Sequence, residues 1–158
     1  MNSRSLAAIA AVALTTSSTL FARIGETEQE CAARYGESIR KLPKNSFLYQ
    51  KSDLGIIITF FNGKADSITY RKIATNVLGK GEEISENEIE ILLKSNSGSV
   101  PWKKRVVISM NKNWETENGE LLATYITFEN WLMVGTKDHL AREKAEKAAK
   151  EGQKLEGF

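Results

Sequence analysis

Residues 54–71 read LGIIITFFNGKADSITYR, and this stretch decides the fold. Ile56 to Phe61 is a run of β-branched and aromatic residues, the types that suit a pleated, half-buried surface. Asn62-Gly63 follows at once. Both residues tolerate positive φ, so the pair is the strongest short-range hairpin signal available. Lys64 to Arg71 then alternates, with Asp66, Ile68 and Tyr70 expected on one side of a returning strand. Upstream, Ser52-Asp53-Leu54-Gly55 has the hydroxyl, carboxylate and glycine of a turn, and Phe47 to Lys51 precedes it as a short strand. The expectation is a three-stranded antiparallel meander. Residues 37–46, with Pro43 and Asn45-Ser46, read as a loop.

A helix is expected before this meander. Thr27-x-x-Glu30 is a capping box, in which the threonine oxygen accepts from the N3 amide and the glutamate reaches back to the cap amide. The helix runs to Tyr35 and stops at Gly36, which suits a left-handed C-terminal position. Cys31, Ala32 and Tyr35 fall on one face of it.

After a connector at 73–83, which contains Gly79 and Gly81, the pattern restarts. Ser85-x-x-Glu88 is a second capping box, and Ile84 and Ile89 can close a hydrophobic staple around it. Ile89, Leu92 and Leu93 form the buried stripe, and Gly98 ends the helix. Strands are expected at Arg105 to Met110, around Trp114, at Leu121 to Phe128 and at Trp131 to Val134, with turns at Asn118-Gly119 and Glu129-Asn130. The tail from Asp138 to Glu151 is rich in alanine and lysine. It reads as a helix with a thin stripe of Ala141, Ala145, Ala148 and Ala149, supported by the i,i+4 pairs Glu143–Lys147 and Glu146–Lys150.

The N-terminus has a different character. Arg4 is followed by an unbroken apolar run from Leu6 to Leu14, then by small and hydroxylated residues up to Ala22. This is the layout of a secretory signal peptide. The run is shorter than the about 20 residues of a spanning helix. Cleavage is expected after Ala22, with Ser18 as the alternative, and no transmembrane segment is expected in the mature chain. Export leaves two destinations open, periplasmic or secreted. Cys31 does not fit a lipid anchor, because Glu28-Gln29-Glu30 stands directly before it where small residues would be required.

Composition narrows the chemistry. The 158 residues carry 22 Lys and Arg against 20 Asp and Glu, and loss of Arg4 with the signal leaves a net charge near +1. That balance gives no electrostatic push towards nucleic acid or anionic membranes. One cysteine cannot form an internal disulfide, so the domain must be held by its core. One cysteine and one histidine cannot build an ordinary zinc site. No metal or cofactor is therefore expected. No Gly-rich phosphate loop or nucleophile elbow is present either.

Five local features are weighed as sites. Cys31 could act as a nucleophile with His139 as its base, since a thiol needs such a partner to ionise at neutral pH; the competing reading is a buried core cysteine. His139 by itself reads as a surface or helix-capping residue. Glu115 and Glu117 lie around a turn and could serve as paired acids, or simply form a solvated hairpin tip. Trp102-Lys103-Lys104-Arg105 could meet an anionic partner, or start a solvated strand. Trp102, Trp114 and Trp131 are candidate interface anchors, since large aromatics dominate binding hot spots; the alternative for each is the core.

The order Ile24-Gly25-x-Thr27-x-x-Glu30, a helix ending Tyr35-Gly36, and a hairpin carrying Phe61-Asn62-Gly63-Lys64 and Ile68 resembles the BamE/SmpA-type envelope domain over residues 24–72. The doubled helix-plus-sheet plan is similar to the β-lactamase-inhibitor-protein fold. The chain also resembles small exported bacterial proteins with this same start. The resemblance implies a binding or assembly protein rather than an enzyme. The lipoprotein cysteine of that family is missing here, which argues against outer-membrane anchoring.

The sequence thus predicts a signal peptide at 1–22, an α+β domain at 23–137 and a polar C-terminal helix and tail at 138–158. The domain is expected to be an antiparallel sheet with short helices packed on one face. Whether the units 24–72 and 84–136 are a true repeat, or two amphipathic helices that happen to coincide, is left open by the residues. The leading expectation is an exported, non-enzymatic binding or assembly protein of the cell envelope, with an unidentified envelope protein as partner. The alternative is a small exported hydrolase or thiol enzyme using Cys31 and His139.

Overall fold

The computed structural model describes residues 23–73, 81–106 and 110–155. The expected signal peptide with its cleavage sites, most of the 73–83 connector, and residues 107–109 of the strand expected at Arg105 to Met110 lie outside them.

Both capping boxes form. Helix α1 (Glu28–Tyr35) opens with the Thr27 side chain accepting from the Glu30 amide, while the Glu30 carboxylate accepts from the Thr27 amide at 2.7 Å. Helix α2 (Glu86–Ser97) repeats this with Ser85 and Glu88, at 2.8 Å. Gly36 and Gly98 end the two helices with φ of 87° and 62°, where a side chain would be strained.

The strands are β1 (Arg40–Leu42), β2 (Ser46–Lys51), β3 (Leu54–Phe61), β4 (Lys64–Lys72), β5 (Trp102–Arg105), β6 (Lys112–Thr116), β7 (Leu121–Ile126) and β8 (Trp131–Thr136), followed by helix α3 (Lys137–Leu155). They make one antiparallel sheet in the order β1-β2-β3-β4-β8-β7-β6-β5. Among the described residues the fold is therefore α+β, with an antiparallel sheet and a C-terminal helix. A helix followed by a four-strand meander occupies Glu28 to Lys72 and again Glu86 to Thr136. The two meanders join through β4 and β8, where Ile68 pairs with Val134 and Tyr70 with Leu132.

The Asn62-Gly63 hairpin forms as read, with φ of 50° and 76°. The strand after it differs from simple alternation. Phe60 pairs with Ala65 and Thr59 with Ser67, so Asp66 is the extra residue of a bulge. Its carboxylate turns to Thr136, His139 and Arg142 instead of lying in one row with Ile68 and Tyr70. Two further elements depart from the sequence reading. The expected loop at 37–46 contains β1, which pairs with β2 across a turn where Lys44 and Asn45 take positive φ. β5 runs from Trp102 to Arg105, the solvated strand start read at those residues, whereas of the strand expected at Arg105 to Met110 only Arg105 belongs to it, and Val106 and Met110 are not strand residues.

One face of the sheet holds the core. Cross-strand register aligns Phe47, Ile58, Ile68, Val134, Ala123 and Trp114 in one row, with Tyr49, Ile56, Tyr70, Leu132 and Tyr125 in the next. Cys31 and Tyr35 of α1 and Ile89, Leu92 and Leu93 of α2 pack on these rows. Ile84, before the α2 cap, is buried beside them as the staple requires. Asn96 ties α2 to the sheet, donating to the Tyr70 hydroxyl at 3.0 Å and to the Leu92 carbonyl at 2.8 Å.

Helix α3 follows β8 without a loop. Thr136 caps it, its hydroxyl accepting from the His139 amide at 3.0 Å. His139 is the one buried side chain among the described residues of α3, and Ala141, Ala145, Ala148 and Ala149 are exposed. The Glu146–Lys150 pair forms at 2.7 Å, but Glu146 and Glu143 also face Lys44 of the β1–β2 turn.

Candidate functional site

The face of the sheet turned away from α1 and α2 is built from the alternate residues of each strand. Register carries one row across it: Leu48, Ile57, Thr69, Met133, Thr124 and Asn113. The row beside it holds Gly55, Arg71, Trp131 and Ile126. Ile57 is 36% exposed, and Leu48, Met133 and Trp131 are half-buried. A shallow groove of about 530 Å³ runs among Leu48, Gly55, Ile57, Thr69, Arg71 and Trp131. Gly55 adds no side chain there, so the groove floor is backbone at that point. The Trp131 indole donates to Glu129, which orients the ring at the groove wall.

The three tryptophans have different places. Trp114 is 9% exposed and belongs to the core row, so it is a packing residue rather than a surface anchor. Trp102 is half-buried against the core, and its indole donates to the Leu93 carbonyl at 2.8 Å, closing the last turn of α2. Trp131 alone among the three stands in the row that flanks the groove.

Cys31 is fully buried on α1. Burial, and then the nearby Glu26 carboxylate, push its thiol up to about 12. A thiol held that high is not a nucleophile at neutral pH. His139 is engaged elsewhere. Its Nδ1 lies 3.0 Å from Asp66 Oδ2 and its Nε2 lies 4.0 Å from Glu143, so neither ring nitrogen addresses the thiol. Sequence reasoning did not pair Asp66 with His139, because the contact spans the whole meander and the second unit.

The charged motifs are largely spent on each other. Lys103 pairs with Glu117 at 3.3 Å, and Arg105 lies 3.6 Å from Glu115, across β5 and the strand and turn beside it. Glu115 of β6 and Glu117 of the turn after it thus balance two of the three cations after Trp102. Among the described residues no group of three His, Cys, Asp or Glu side chains gathers to hold a metal ion. No helix there is long and apolar enough to cross a membrane.

A second cleft, of about 560 Å³, opens between the end of α2 and the start of α3. Its polar side chains serve local structure: Ser97 donates to the Val100 carbonyl, Thr116 bonds Leu121, Asn118 bonds Glu120, and Thr136 donates to Asp66. Asn96 Oδ1 has no partner, but it is sealed from solvent and so from the cleft.

No family model and no curated protein matches the chain. Among solved structures, a cysteine-rich secretory protein from Staphylococcus aureus subsp. aureus Mu50 is similar at 16% identity, over 75% of this chain and 44% of that one, with a TM-score of 0.43. The chain spans less than half the length of that structure, a likeness too distant to carry a fold or a function from one to the other.

Proposed function

We propose that this chain is an exported, non-enzymatic binding or assembly protein of the bacterial cell envelope, and that it engages a protein partner through the sheet face opposite α1 and α2. The observation that carries the reading is the row of Leu48, Ile57 and Met133, flanked by Trp131, on a face that neither helix covers. A flat, part-exposed apolar row with an oriented aromatic at its side matches the anatomy of a protein interface better than that of a reaction pocket. Export follows from the signal-peptide layout of residues 1–22. The resemblance of residues 24–72 to the BamE/SmpA-type domain supports the envelope assignment and the binding role. The thiol-enzyme reading has no comparable support, because Cys31 is sealed and His139 is bonded to Asp66.

Site-specific photo-crosslinking in intact cells tests this. A photoreactive residue placed at Ile57 or Met133 is expected to give a discrete crosslinked species in the envelope fraction. The same residue at Glu90 or Lys94, on the outer surface of α2, is expected to give none. Equal crosslinking from both faces, or from neither, would overturn the reading.

A further inference from the structure

We propose that α3 is a releasable strap, pinned by Asp66 across the junction of β4 and β8, and that its release uncovers the adjoining end of the open sheet face. The inference goes beyond the docking role above and is tested without any partner.

The attachment is polar rather than apolar. Asp66 Oδ1 accepts from the Thr136 hydroxyl at 2.7 Å, and Oδ2 accepts from His139 and Arg142. One carboxylate therefore gathers three side chains from the last residue of β8 and the first two turns of α3. The Arg142 guanidinium also lies over the Phe61 ring at 3.8 Å. Further along, Lys44 holds Glu146 at 2.6 Å. Against these, the apolar contribution is thin: among the described residues of the helix His139 is the one buried side chain, Leu140 is half-buried and the alanines are exposed.

The covered surface belongs to the open face. Gly135 pairs with Ser67, and both stand one row beyond Met133 and Thr69. The imidazole of His139 lies 3.5 Å from where a Gly135 β-carbon would be, so the first turn of α3 sits on this row. A helix of alanine, lysine and glutamate keeps some helicity by propensity and i,i+4 pairing even when undocked. Its opening is therefore expected to be local, at a lower free energy than unfolding of the sheet.

Hydrogen exchange on the full mature chain tests this at residue level. In the wild type, α3 amides are expected to exchange faster than those of β3, β4 and β8 and to depend little on denaturant, the mark of local opening. In Asp66→Asn, α3 exchange is expected to rise about tenfold or more, the scale of a lost charge-assisted hydrogen bond, with the sheet still slower than the helix. Arg142→Gln, at a half-exposed position, is expected to move α3 in the same direction by less. It decides the matter by the same criterion if Asp66→Asn fails to fold. Exchange of α3 and the sheet as a single unit, or α3 rates unchanged in the variants, would overturn the proposal.

Discussion

Asp66 and His139 stand seventy-three positions apart in sequence and share a hydrogen bond of 3.0 Å. Burial opposes ionisation of Asp66, but hydrogen bonds from Thr136, Arg142 and His139 outweigh it and hold the carboxyl below its ordinary range. A folded-state pKa lower than the unfolded one gives stability that is complete above the unfolded value, about 4 for aspartate, and that fades as pH falls through the folded value. At neutral pH, Asp66→Asn is expected to cost about 1–3 kcal/mol, as loss of a charge-assisted hydrogen-bond acceptor does. The gap between variant and wild type is expected to close in acid. Urea unfolding followed by tryptophan fluorescence at pH 7 and at successively lower pH checks this. A gap that stays constant as the carboxylate is protonated would contradict the ionic account.

The thiol of Cys31 gives a sharper test of the enzyme question. It is fully buried, and burial together with Glu26 pushes it up to about 12. Labelling of the native protein by a thiol reagent at pH 8 is expected to be negligible, and complete once the chain is unfolded. Cys31→Ala removes one buried sulfur and is expected to destabilise the fold by about 1–2 kcal/mol through the cavity it leaves. Rapid labelling of the folded protein would place the thiol at the surface and reopen the nucleophile reading.

What the residues disclosed and what they hid divide along one line, the range of the interaction. Thr27-x-x-Glu30, Ser85-x-x-Glu88 and Asn62-Gly63 act within four residues, and each formed as read. β1 was invisible because Arg40 and Lys41 are exposed basic residues with no period, and only pairing with Leu48 and Phe47 makes them a strand. For β5 the readings divide: the solvated strand start at Trp102-Lys103-Lys104-Arg105 formed, while of the strand expected from Arg105 onward only Arg105 belongs to β5. Trp102 is placed by its indole bond to Leu93 in the preceding helix, which no local pattern announces. The bulge at Asp66 broke an alternation that looked regular, and its reason lies in α3. The open face could be deduced from strand parity, but which face the helices chose depended on the register between β4 and β8.

The two capping boxes allow a test of independence. Thr27 and Ser85 each accept from an amide three residues on, at 3.2 and 3.3 Å. Replacing either by alanine leaves that amide without its acceptor and is expected to cost about 1 kcal/mol. The boxes belong to separate helices and share no partner, so the double variant is expected to cost about the sum, within the scatter of about 0.5 kcal/mol usual for independent sites. Denaturant midpoints for the two single variants and the double variant provide the measurement. A double-variant loss well above the sum would mean that α1 and α2 support each other through the core.

The tryptophans separate packing from recognition. Trp114 is in the core row between Ala123 of β7 and Lys104 of β5, so Trp114→Ala is expected to cost about 3–5 kcal/mol or to prevent folding. Trp131 stands half-buried beside the groove, and its indole donates to the side chain of Glu129, two residues away. Trp131→Ala is therefore expected to change stability by no more than about 1 kcal/mol, yet to weaken any crosslink captured from Ile57 or Met133. Folding is read by circular dichroism and urea titration, and recognition by the intensity of the crosslinked species. If Trp131→Ala unfolds the protein as Trp114→Ala does, the ring is structural and the open face loses its best anchor. If the variant folds normally and the crosslink persists undiminished, the partner rests on the aliphatic row of Leu48, Ile57 and Met133 without the indole.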